Sequence, residues 1–151
     1  MNNRLYNREI LKNTGFNLLK EGKTIRIKAH GYSMYPCIRP GSVILIEPIR
    51  IKGNPVPGEI IAIKRESGLI VHRLIKVIKK NSVDYYIARG DSNAWPDNPV
   101  EIDKIAGRII RAEFSEQHVP ADIKINERPS YFLNRIRVIF IILWNRIRRK
   151  L

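Results

Sequence analysis

Cysteine is nearly missing from this chain. Cys37 is the only one in 151 residues, so no internal disulfide can form and no cysteine-rich metal site can be built. A reducing compartment is therefore permitted. Acidic residues are also scarce: 14 Asp and Glu stand against 28 Lys and Arg, a formal net charge of +14. Such an excess predicts attraction to an anionic partner, nucleic acid or an anionic membrane surface, and charge alone does not choose between them. Long apolar runs are missing too. Residues 1 to 23 hold no stretch of signal-peptide length. Nothing elsewhere reaches the roughly 18 to 20 apolar residues of a spanning helix. Histidine occurs three times, at His30, His72 and His118, which leaves few positions for an imidazole base. What is abundant is apolar residues, at 44%, and that argues against disorder. The length suits one domain with a hydrophobic core and a short appendage.

Four segments follow from the pattern. Residues 1–23 carry Leu5, Ile10, Leu11, Leu18 and Leu19 at roughly helical spacing, which predicts a short amphipathic helix. Residues 24–116 change period. Ile25 and Ile27 alternate with Arg26 and Lys28, as in a half-buried strand. Val43 to Ile46 and Ile60 to Ile63 are short β-branched runs bounded by Gly and Pro, the mark of buried strands. Leu69 to Ile78 and Val83 to Ala88 read as a hairpin, and Gly107 to Phe114 as a last strand. The expected fold is mainly β, a sheet or partly closed barrel of short antiparallel strands. Residues 117–129 are polar, contain two prolines and read as a linker. Residues 130–151 form a basic amphipathic helix. Its apolar centre, Val138 to Trp144, spans only about 10 Å against a hydrocarbon core of about 30 Å. Arginines flank that centre on both sides. The segment is therefore expected to lie on an anionic membrane surface rather than to cross it in a single pass. The plainer expectation is a helix packed on the β domain or on a partner.

Ser33 follows the first strand and sits between Gly31 and Pro36. On a tight turn a serine can present its hydroxyl and a backbone N–H together, as acyl transfer requires. Most serines in such turns only shape the turn. A serine nucleophile needs a base. His72 sits in the strand Ile70-Val71-His72-Arg73-Leu74, on the face of Ile70 and Leu74. The commoner role of such a histidine is a hydrogen-bonded core side chain; the functional one is a desolvated general base. The loop Arg89 to Pro99 adds Asp91 and Asp97. Either could orient His72, and either could simply bond its own backbone.

In this order, Gly31-x-Ser33-Met34-x-Pro36, Val71-His72-Arg73, Gly90-Asp91-x-Asn93-(x)₃-Asp97 and Gly107-Arg108 resemble the signal peptidase superfamily. The resemblance covers residues 24 to 114 and is narrowest to the endoplasmic-reticulum and archaeal type, in which histidine replaces a lysine base. It implies a signal-peptidase-like β-fold. It also implies a serine endopeptidase with Ser33 as nucleophile, His72 as base and Asp97 as the third member. Asp91 would shape the loop, and Gly31 and Met34 would support the serine turn. Gly31 stands where some bacterial relatives place an oxyanion-donating hydroxyl, which leaves that task to backbone N–H groups. Ser42 and Glu59 replace aspartates usual in the family and look structural. Lys64 is a solvated charge on this reading. The implied substrates are leader or signal-like peptides, and no cofactor or metal is called for. Relatives usually carry a membrane anchor before the serine motif; none precedes it here, so a peripheral position on the cytoplasmic face is expected.

Two other functions fit parts of the sequence. Self-cleavage, as in the related SOS repressors, would need a DNA-binding domain and a cleavable linker before the core. A non-catalytic basic module for membrane or nucleic acid would use the charge alone, with Tyr85, Tyr86 and Trp95 as stacking residues. For these three, strand pairing and loop packing is the stronger expectation, and nucleic acid is the lesser partner.

Overall fold

The computed structural model describes residues 14–66, 68–114 and 129–149. His118, the first thirteen residues of the N-terminal segment and residues 117–128 of the expected linker lie outside these. The chain order is a helix over residues 14–20 (α1), then strands β1 (Ile25–Lys28) and β2 (Val43–Pro48), and a single helical turn α2 (Ile49–Lys52). There follow β3 (Ile60–Arg65), β4 (Gly68–Lys80), β5 (Val83–Arg89), a 3₁₀ turn at Ile102–Lys104, β6 (Ile105–Glu113) and the helix α3 (Tyr131–Arg148).

The strands form one six-stranded sheet in the order β1-β2-β6-β3-β4-β5, with every neighbour antiparallel. The fold is thus mainly β with a helix at each end. β6 is inserted between β2 and β3, so the last strand closes the middle of the sheet. The β4–β5 hairpin turns on Asn81 and Ser82, both at positive φ (49° and 63°). A two-residue turn of that hand matches the right-handed twist of the strands it joins. The turn is shorter than the gap between the strands expected at Leu69 to Ile78 and Val83 to Ala88, because pairing continues to Lys80 and Val83.

Side-chain alternation divides the core between the two faces of the sheet. On one face Ile25, Ile44, Ile46, Ile60, Ala62 and Ile109 pack with Leu19 of α1 and with Met34 and Ile38 from the loop after β1. On the other Ile61, Ile63, Leu74, Tyr86, Val100 and Ile105 form a second cluster. β3 is buried on both faces, as its unbroken apolar run predicts. β2 alternates instead, with Val43, Leu45 and Glu47 half-exposed, so it is buried on one face only. Ile44, Ile46, Ile60 and Ile61 are fully enclosed, and each contributes about 1.5–3 kcal/mol by leaving water.

Among the described residues no helix is long and apolar enough to cross a membrane. α3 meets the body through its first turn, where Asn134 is buried. Beyond that turn most of its apolar side chains face out, Phe140 and Trp144 being 69% and 59% exposed, while Ile136, Val138 and Ile141 are half-buried.

Candidate active site

The loop between β1 and β2 carries Ser33. Its base is closed by the Ala29 N–H donating to Ser42 O (2.7 Å) and the Gly41 N–H donating to Ala29 O (2.9 Å). Gly31 has a φ of +80°, a value glycine adopts without a Cβ penalty, and turns the chain into the serine motif. Ser33 then occupies the second position of a β-turn closed by the Tyr35 N–H on Tyr32 O (3.0 Å). The Tyr35–Pro36 peptide is cis. Met34 and Ile38 are both buried in the first core cluster. Their anchoring holds the turn while Ser33 itself stays half-exposed.

The loop after β5 is clasped onto this turn. The Ser92 N–H donates to Ser33 O (2.9 Å), and the Ser92 hydroxyl donates to Tyr32 O (2.6 Å). Gly90 has no room for a side chain: a Cβ there would lie 2.7 Å from Ser33 O and 2.8 Å from the Asn93 side chain. Arg89 staples the loop from within, its Nε and Nη2 donating to Asn93 O at 3.1 and 2.9 Å.

The two aspartates of this loop have different partners. Asp91 is 1% exposed and receives a bidentate pair from Arg73, Nε to Oδ1 at 2.9 Å and Nη2 to Oδ2 at 2.8 Å. Arg73 also donates to Gly58 O (2.9 Å) and lies 3.5 Å from Cys37 Sγ. Burial pulls the Arg73 guanidinium down, but Asp91 and Cys37 outweigh it and leave its pKa above the ordinary arginine value. Asp97 instead faces His72, with Oδ2 2.5 Å from Nδ1 and side chains 20% and 7% exposed. The Asp97 N–H donates to Ala88 O (2.8 Å), which ties its backbone to β5. His72 lies opposite Ile61 in the β3–β4 register, on the face of Leu74 and the second core cluster.

With Nδ1 engaged by Asp97, the imidazole is oriented and its other nitrogen, Nε2, is left for a second partner. Among the described residues neither Nε2 nor the Ser33 hydroxyl makes a hydrogen bond. A buried imidazole with a carboxylate on one nitrogen and the other free can accept a proton and keep the resulting cation paired. Apo sites commonly hold base and nucleophile further apart than the reacting complex does.

Of the other residues read from sequence, His30 is exposed. Lys64 is exposed as well, with its ammonium 5.1 Å from the centroid of the Phe16 ring. Glu59 accepts from Arg108 Nη1 and from the Val56 N–H, both at 2.8 Å, and Ser42 is buried. Tyr86 is core and bridges to Val100. Trp95 departs from expectation: it was predicted to pack within its loop but is 80% exposed. Pro96 beside it is exposed too, and the loop spends its internal bonds on Arg89, Asn93 and Asp97 rather than on the indole. Arg73 and Ser92 had no assigned task in the sequence. The clue to Arg73 was an arginine inside an apolar strand, which demands a buried anionic partner. Among the described residues no group of His, Cys, Asp and Glu is arranged to hold a metal ion.

Comparison with known proteins leaves this site to be read from its own chemistry: no family model and no curated protein matches the chain.

Proposed function

We propose that the chain is a serine endopeptidase of the signal peptidase type, cleaving leader-like or signal-like peptides at Ser33. The observation that carries the reading is the buried His72 paired through Nδ1 with Asp97 and with Nε2 left free, on a sheet whose Asp97 loop is also hydrogen-bonded to the Ser33 turn. Ser33 Oγ attacks the scissile carbonyl carbon while His72 Nε2 takes its proton. Asp97 holds the imidazole through Nδ1 and stabilises the imidazolium. The same proton then passes to the leaving amine, and the peptide carbonyl remains as an ester on Ser33. Water, deprotonated by His72, breaks that ester and restores the serine. Backbone N–H groups of the Ser33 turn receive the oxyanion, a task for which Gly31 supplies no side chain.

The enzyme works at an anionic membrane surface. α3 supports this with Arg135, Arg137, Arg146, Arg148 and Arg149 beside an exposed apolar surface and no acidic residue between Pro129 and Arg149. A fluorophosphonate probe tests the chemistry. It should label Ser33 in the native chain, fail on Ser33→Ala, and label His72→Ala at least 100-fold more slowly, roughly the share of one general base. Equal labelling of native protein and His72→Ala, with both folded, would refute the mechanism.

A further inference from the structure

α3 has two sides with different surroundings. At about 100° per residue, Phe132, Leu133, Ile139, Phe140, Leu143 and Trp144 fall on one side, and all are exposed. Arginines lie along both borders of that stripe, Arg135 and Arg146 on one, Arg137 and Arg148 on the other. Tyr131 and Asn134 fall on the opposite side. Asn134 is 5% exposed, and its Nδ2 donates to the main-chain oxygen of Asp91 (3.1 Å). The Arg89 guanidinium carbon lies 3.8 Å from the centroid of the Tyr131 ring, a close cation–π stack.

Both contacts land on the catalytic loop. Arg89 staples that loop through Asn93 O, and Asp91 anchors it to Arg73. Between Asp91 and Asp97 the same loop supplies the Ser92 N–H that holds Ser33 O. The first turn of α3 therefore rests on the segment that holds both the serine turn and the partner of His72. The arginine borders and apolar stripe have the chemistry of an anionic lipid surface. The loop itself exposes Trp95, an indole suited to the same headgroup depth.

We infer that Asn134 and Tyr131 are positioning residues, through which binding of α3 to an anionic bilayer sets the catalytic loop and raises the reactivity of Ser33. The inference rests on the serine-peptidase reading for its effect on turnover and on the contacts above for its structural part. Lipid bound along α3 orders the helix. The ordered helix holds Asp91 O and Arg89, and the loop keeps Asp97 on His72.

Two measurements on the full chain test this. The first is the probe-labelling rate of Ser33 with vesicles of phosphatidylglycerol and phosphatidylcholine, against vesicles of phosphatidylcholine alone. The anionic vesicles should raise the native rate about tenfold, within the usual span of a coupling between two sites. Asn134→Asp, which keeps the shape but loses the donor, and Tyr131→Leu should still float with the vesicles yet lose the rise. Tyr131→Phe, which keeps the ring on Arg89, should restore what Tyr131→Leu loses. A native rate indifferent to the anionic lipid, or variants that respond as the native chain does, would overturn the inference. The second is the low-field Nδ1–H proton resonance of His72, which reports the bond to Asp97 without any turnover. It should be weakened in Asn134→Asp and Tyr131→Leu and recovered in Tyr131→Phe; an unchanged resonance in all three would also overturn it. Should the probe fail to label Ser33 in the native chain, the peptidase reading falls, and the resonance still decides whether α3 positions the loop.

Discussion

The two aspartates of the Arg89–Pro99 loop should fail in opposite ways when each is changed to asparagine. Asp91 and Arg73 form a buried pair, with side chains 1% and 5% exposed and two hydrogen bonds at 2.9 and 2.8 Å. Asp91→Asn removes the counter-charge and one acceptor, and the guanidinium then faces a neutral amide in a site where it is only 5% exposed. Breaking a buried pair from one side costs about 3–5 kcal/mol. For a chain of this size that lowers the melting temperature by roughly 6–20 °C. Asp97→Asn is milder for the fold. Its side chain is 20% exposed, and an amide oxygen can still accept from Nδ1–H, so the loss is about 1 kcal/mol. On the proposed mechanism the chemistry suffers instead, because an imidazolium formed during acylation would lose its charge partner; the expected drop in Ser33 acylation is about 10⁴-fold on the Ser-His-Asp template. Thermal unfolding followed by circular dichroism and probe labelling at saturation separate the two effects. Equal melting losses in both variants, or full labelling in Asp97→Asn, would refute this division of labour.

Two further outcomes follow from the packing around the loop. Gly90→Ala forces the chain away from Ser33 O and Asn93, so it should cost about 1–3 kcal/mol as an overpacked site and slow labelling of Ser33. An unchanged labelling rate would show that the loop does not hold the serine turn. Burial, and then the Asp91 carboxylate, push the Tyr131 phenol above its ordinary value of 10.0, against the pull of Arg89 and Arg73. The folded state therefore holds this proton more tightly than the unfolded chain. Its stabilisation is complete below pH 10 or so and is lost as pH rises through the folded value. Tyr131→Phe should flatten that alkaline limb of a stability-versus-pH curve. A residual slope should remain from Tyr86, which burial raises in the same direction. Identical curves for the two proteins would refute the assignment.

Much of the architecture was written in local pattern. The alternation in Ile25 to Lys28, the β-branched runs at Val43 and Ile60, and the Gly and Pro between them specify strands because side-chain period and backbone freedom are short-range properties. The same holds for the face of His72, which follows from its spacing to Ile70 and Leu74. The basic amphipathic character of α3 is likewise a matter of residues three and four apart. By itself, then, the sequence determined a mainly β chain with a serine turn, an apolar-strand histidine and an arginine-bordered helix. Tertiary structure alone decided which partners meet. Asp91 and Asp97 stand six residues apart in equally polar loop sequence, and only the path of the loop over β4 and β5 sends one to Arg73 and the other to His72. Arg73, Ser92 and Asn134 acquire their tasks through contacts between 18 and 60 residues apart in the chain. Such pairings depend on how the loops after β1 and β5 and the first turn of α3 meet, and no local period encodes that. The exposure of Trp95 is of the same kind, since whether an indole packs or faces out depends on what the fold brings over it.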